Sequence, residues 1–150
     1  RRYGATQVNT TVAGPFTEMS KTEIDMLAAE GYIRTGAPAS AEPLINISRV
    51  RNGLPSVVGV GAGVVPGGQG CVPRLPNNTC GTLLEAMKYE KRMETAFTGY
   101  MVWYTDSRGW NDLPNNTVVE WPVPYQEMQN RQHPYYNGTR QQAGASTDGF

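Results

Sequence analysis

The strongest constraint in this sequence is a helix that carries two carboxylates in the middle of its apolar stripe. The segment opens with a capping box at Thr82 and Glu85, in which hydroxyl and carboxylate each satisfy a free backbone N–H. Its period runs to about Thr98, before Gly99. Placed at about 100° per residue, Leu83, Ala86, Met87, Met93 and Phe97 form one stripe, with Glu90 and Glu94 inside it. Carboxylates on a packed face need cationic partners, because burying an unpaired charge is costly. Arg34, Arg49 and Arg51, on two earlier helical segments, are the candidates. The reading is that this helix packs on those segments through structural ion pairs made by Glu90, Glu94, Arg49 and Arg51.

The first of those segments starts at a second capping box, Ser20 and Glu23. Ile24, Leu27, Ala28 and Gly31 then recur at helical spacing, and Arg34-Thr35-Gly36 supplies a basic last turn and a terminating glycine. The next segment runs from about Ser40 to Asn52, with Pro43 in the first turn and Gly53-Leu54-Pro55 as its stop. Only Gly36–Ala39 separates the two, so an antiparallel helical hairpin is expected. The stretch Val57–Gly68 has neither a helical nor a strand period and is read as loop. Its Gly59–Gly63 core is set aside as a phosphate cradle, since no helix opens behind it and no Lys-Ser/Thr follows. An aromatic region follows Gly99. After it come a turn at Leu113–Asn116, a short extended run Thr117–Trp121, two prolines that exclude helix and central strand, and a helical turn near Tyr125. The fold class expected is mainly α: a helical hairpin plus a third helix, with long irregular loops and an extended C-terminal tail.

Length, 150 residues, suits one domain. Leu, Ile, Val and Phe make up only about 18% of the chain and Gly plus Pro about 19%. This implies a loop-rich piece with little aliphatic core of its own, part of something larger. Zero net charge argues against a nucleic-acid footprint, and no apolar run approaches the roughly 20 residues of a membrane span. Residues 1–18 read as an irregular lead-in with an internal or processed start, 19–128 as helical core with loops, and 129–150 as a polar tail.

Chemistry narrows quickly. His133 is the lone imidazole, and Cys71 and Cys80 form no CxxC pair, so no metal site or cofactor is expected. A Cys71–Cys80 disulfide would close a loop-forming segment and imply an oxidising compartment; two free thiols are the alternative. Glu90 and Glu94 are also a pairing that glycoside hydrolysis uses, but their place in a packing stripe favours ion pairs. No Ser-His-Asp arrangement or nucleophile elbow is present, and no catalytic residue is assigned. Trp103 and Trp121 are read as core. Tyr104 and Trp110 are the candidate ligand-binding residues, because exposed aromatic planes suit the apolar faces of sugar rings. Sequons occur at Asn9, Asn46, Asn77, Asn115 and Asn137. Asn77, Asn115 and Asn137 are kept as glycosylation candidates, and Asn46 is set aside because it lies within a helix.

Four segments in chain order, Leu27–Gly36, Leu44–Pro55, Glu90–Gly99 and Trp121–Met128, together resemble motifs of the SusD/RagB family of outer-membrane nutrient-binding lipoproteins. Leu44–Pro55 is similar to that family's Leu-Ile-Asn-x-Val-Arg-x-Arg-Ala-Gly-Leu-Pro helix end, departing at Ser48 and Asn52. Leu27–Gly36 resembles its Leu-x-x-Ala-Glu-Ala-x-x-Arg-x-Gly helix, and Glu90–Gly99 its Glu-Arg-x-x-Glu-x-Ala-Phe-Glu-Gly segment. Trp103 and Asp106 resemble the Trp-x-Asp that follows, with extra residues between, and Trp121–Met128 is similar to the closing Leu-Pro-Ile-Pro-x-x-Glu-Ile. The resemblance implies the C-terminal portion of a longer protein built on tetratricopeptide-like helix pairs. Such a protein sits on the extracellular face of the outer membrane, lipid-anchored at full length. It captures glycan or peptide without catalysis and hands it to a SusC-like, TonB-dependent transporter. The missing N-terminal part, or copies of the same chain, would complete the fold. The rival expectation is a structural subunit of an extracellular, glycosylated assembly; a third is a carbohydrate-active enzyme using Glu90 and Glu94.

Overall fold

Ser20 sets the start of the first helix: its Oγ accepts the backbone N–H of Glu23 at 3.1 Å. The helix, α1, spans Lys21–Arg34. In the computed structural model, which describes residues 19–96, 98, 101–117 and 124–132, α1 ends in a Schellman turn. The N–H of Gly36 reaches the Ile33 carbonyl and that of Ala37 the Tyr32 carbonyl, at 3.2 and 2.8 Å. Gly36 takes φ +80°, a conformation that a side chain would strain.

The second helix, α2, spans Pro38–Arg51, starting earlier than the spacing from Ser40 suggests. Pro38 occupies the first turn, where a missing N–H costs nothing. Pro43 therefore lies inside the helix and gives up one i→i−4 bond. The end of α2 repeats the Schellman pattern, with Leu54 N–H on the Arg49 carbonyl at 2.9 Å and Gly53 at φ +76°. The third helix, α3, spans Leu83–Thr95 behind the N-cap Thr82, whose Oγ1 accepts Glu85 N–H at 3.4 Å. It stops short of the expected Thr98, and Phe97 lies outside the described residues.

These three helices pack on one another. Met26 and Ala29 of α1, Ala41 and Ile45 of α2, and Leu83, Ala86 and Met87 of α3 form the apolar core. The long loop adds Val57, Val65 and Cys71 to it. That loop is held at several points: Val65 N–H on the Gly81 carbonyl at 2.8 Å, Gly81 N–H on the Pro73 carbonyl at 3.0 Å, and isolated bridges pairing Val64 with Thr82 and Arg74 with Cys80.

Two faces differ from their sequence reading. The apolar repeat that announces α1 looks outward: Ile24 and Leu27 are 53% and 44% exposed, while the buried face is Glu23, Met26 and Ala29. On α3, Met93 is 51% exposed, because the buried face extends past Glu94 to Met87, Lys91 and Thr95 and leaves Met93 beyond its far edge.

Among the described residues, those up to Trp103 and those from Tyr104 onward form two compact units. A helix, α4, spans Val102–Trp110 where only an aromatic region was expected. In the second unit Ser107 and Leu113 are buried, and Asp112 N–H reaches the Ser107 carbonyl at 3.0 Å. A short helix, α5, spans Tyr125–Asn130, so the polar segment expected from 129 begins inside a helix. The lead-in 1–18, the run beyond Thr117, Trp121, and the tail from 133 lie outside the described residues. The architecture is mainly α: five α-helices and no β-strand among the described residues. No described helix is long and apolar enough to cross a membrane.

Candidate functional site

The C-terminal halves of α2 and α3 meet in a buried polar cluster. Helical spacing puts Ser48 one turn before Asn52, the C-cap of α2, and Glu90 and Glu94 one turn apart on α3. Ser48, Arg49 and Glu90 are fully buried. Ser48 Oγ lies 2.7 Å from Glu90 Oε2 and 2.7 Å from Glu94 Oε1. Arg49 Nη1 lies 3.4 Å from Glu90 Oε1, and its Nε donates to the Pro55 carbonyl at 3.1 Å. Arg51, 47% exposed, donates through Nη2 to Glu94 Oε1. Arg49 thus fixes α2 to the chain leaving it as well as to α3. Arg34, the third candidate cation, is elsewhere: it pairs with Glu30 on its own helix at 2.7 Å.

Burial dominates the electrostatics of this cluster. It pushes the Glu90 carboxyl above the usual glutamate range, against the pull of Ser48, Arg49 and Arg51, and Glu94 adds to the rise. It also pulls the Arg49 guanidinium below its ordinary value, opposed by Glu90 and Tyr89. A glycosidase pair flanks a bond that substrate can reach. Here both carboxylates turn onto one buried hydroxyl, an arrangement that ties two helices together.

Ser48 is the member that sequence reasoning passed over. It lies one turn before Asn52, and the two touch. Asn52 Nδ2 donates to the Ser48 carbonyl at 3.0 Å and lies 3.4 Å from Ser48 Oγ.

A second passed-over residue is Glu42. Its two carboxylate oxygens accept the backbone N–H groups of Gly59 and Gly61 at 2.8 and 2.9 Å. These bonds, that from Gly61 foremost, hold the carboxyl below the usual glutamate range despite burial. The glycine-rich loop does present amides to an anion, and the anion is the protein's own side chain. Asn46 assists from the same helix, its Oδ1 accepting Val57 N–H at 2.9 Å.

Cys71 and Cys80 are joined in a disulfide that closes the ring at the far end of this loop. Within the ring Asn77 is exposed, and its Oδ1 accepts both the N–H and the hydroxyl of Thr79, at 3.1 and 2.7 Å. Asn115 is exposed in a turn that Thr117 N–H closes on the Pro114 carbonyl at 3.1 Å. Asn137 and His133 lie outside the described residues.

Tyr104 and Trp110 both belong to α4 and are half-buried. Six positions apart, they point about 120° away from each other, so they do not form one stacking platform. Trp103, read as core, is 46% exposed. Among the described residues no three His, Cys, Asp or Glu side chains are grouped to hold a metal ion. Compared with known protein families, with curated proteins and with solved structures, the chain matches none.

Proposed function

We propose that this chain is the C-terminal part of a non-catalytic, SusD-type surface binding protein. It would capture glycan or peptide at the extracellular face of the outer membrane and pass it to a TonB-dependent transporter. One observation carries the reading: two of the motifs that resemble the family make contact, Arg49 and Arg51 from one meeting Glu90 and Glu94 from the other. The residues behind the resemblance are thus residues that join helices. The Cys71–Cys80 disulfide fits an oxidising compartment outside the cytoplasm. Within this reading Trp110, beside Gly109 on α4, is the residue offered to ligand.

The test is binding of the folded chain to an array of plant and microbial glycans and to a set of oligopeptides. Selective binding that weakens in Trp110→Ala supports the proposal. A folded protein that binds neither class at millimolar concentration overturns it.

The rival reading, a subunit of an extracellular assembly, draws on the outward apolar residues Ile24 and Leu27 on α1 and Ile47 and Val50 on α2. Sedimentation velocity separates the two: a concentration-dependent series of defined oligomers favours the assembly.

A further inference from the structure

We infer that Glu90 is a neutral carboxylic acid in the folded protein at neutral pH, and that Glu90, Ser48 and Glu94 form a proton-sharing latch between α2 and α3. The geometry requires an extra proton. A serine hydroxyl carries one hydrogen, yet Ser48 Oγ makes two contacts of 2.7 Å, each to a glutamate oxygen. With both carboxylates ionised, one contact would set two lone pairs against each other at hydrogen-bond distance. Asn52 Nδ2 at 3.4 Å also faces Ser48 Oγ as a donor, so that oxygen is placed to accept.

One assignment satisfies both contacts at Ser48. Glu90 Oε2–H donates to Ser48 Oγ, and Ser48 Oγ–H donates to Glu94 Oε1. Glu90 Oε1, the carbonyl oxygen of the acid, faces Arg49 Nη1 at the long distance of 3.4 Å. Glu94 keeps the negative charge, which Arg51 contacts directly. Arg51, the cation on Glu94, is half-exposed and solvated. The charges acting on Glu90 are Arg49 and Arg51 from α2 and Glu94 from its own helix; among the described residues none comes from α1. Burial of Glu90 favours the same neutral state.

The consequence is a pH-sensitive contact. A carboxyl whose folded pKa is raised binds its proton more tightly folded than unfolded. Its stabilisation is therefore full below the ordinary glutamate range and is lost as pH rises through the raised value. Loss of the proton replaces a donor with a second negative oxygen at Ser48 and loosens α2 from α3.

Two measurements on the full chain test this. Infrared spectroscopy at about pH 7 should show the C=O stretch of a protonated carboxylic acid, shifted by deuterium exchange and absent in Glu90→Gln. Glu90→Gln is the neutral isostere, its amide donating to Ser48 and its oxygen facing Arg49. The wild-type Tm should fall relative to that of Glu90→Gln as pH rises from about 5 to 9. Absence of the carboxylic band, parallel Tm curves, or failure of Glu90→Gln to fold would each overturn the inference.

Discussion

Glu42 on α2 and Gly61 in the glycine-rich loop are joined by a 2.9 Å hydrogen bond from the Gly61 N–H to the Glu42 carboxylate. Gly59 donates to the other oxygen of the same carboxylate at 2.8 Å. A segment with no secondary structure thereby gains a fixed anchor. Its apolar residues Val57 and Val65 can then fill the core of a chain that is short of aliphatic side chains.

Glu42→Ala should remove that anchor. Hydrogen bonds to a charged acceptor contribute about 1.5–3 kcal/mol each, and their loss is partly offset by water reaching the freed amides. A net cost of about 2–3 kcal/mol follows, measurable by urea denaturation, together with faster hydrogen exchange at Gly59 and Gly61. The pH dependence has a definite sign. The folded pKa of Glu42 is depressed, so its contribution is present above the ordinary glutamate range and lost as pH falls through the depressed value. Acid should loosen this loop, and Glu42→Gln should blunt the effect.

The hairpin, the capped third helix and the meeting of Arg49 and Arg51 with Glu90 and Glu94 were legible because each rests on local spacing or on the cost of burying charge. The hydroxyls of Ser20 and Thr82 cap as the sequence indicates, but neither Glu23 nor Glu85 returns a bond to its cap residue, and Glu85 pairs with Lys88 instead. Three things were not legible. The outward turn of the Ile24–Gly31 face of α1 depends on which side its partners occupy, and helical period is silent on that. Helix α4 combines β-branched, aromatic and glycine residues, whose intrinsic preference is weak, so context decides it. The role of Ser48 appears only when two helices bring both glutamates onto it, a non-local coincidence.

Arg49→Ala should be far more damaging than Arg51→Ala. Truncating the fully buried Arg49 leaves a cavity and an unsatisfied Pro55 carbonyl, together about 3–5 kcal/mol. Arg51 reaches Glu94 from a half-exposed position, and its loss should cost about 1–2 kcal/mol. Thermal unfolding of the two variants at one pH checks the order; equal losses would mean that Arg49 is not the central tie.

Reducing the disulfide should destabilise without abolishing the helices. Closing a ring across nine positions restricts the unfolded chain by about 2.5–3 kcal/mol on the loop-entropy account. The core helices do not depend on the ring for their caps. Dithiothreitol, or the double change Cys71→Ser with Cys80→Ser, should lower Tm while leaving the far-ultraviolet circular dichroism of the folded state nearly unchanged.

The orientation of α1 gives the sharpest test, because two adjacent residues predict opposite outcomes. Met26 is fully buried on a helix that packs on α2 and α3, whereas Leu27 is 44% exposed. Met26→Ala removes packed atoms and leaves a cavity, at about 2–4 kcal/mol. Leu27→Ala trims a side chain that already meets water and replaces it with a better helix former, so its cost should stay within about 0.5 kcal/mol. If the α1 repeat faced the core instead, the two values would exchange. Urea midpoints of the two variants decide it, and a large loss for Leu27→Ala in a monomeric sample would reject the packing described for α1.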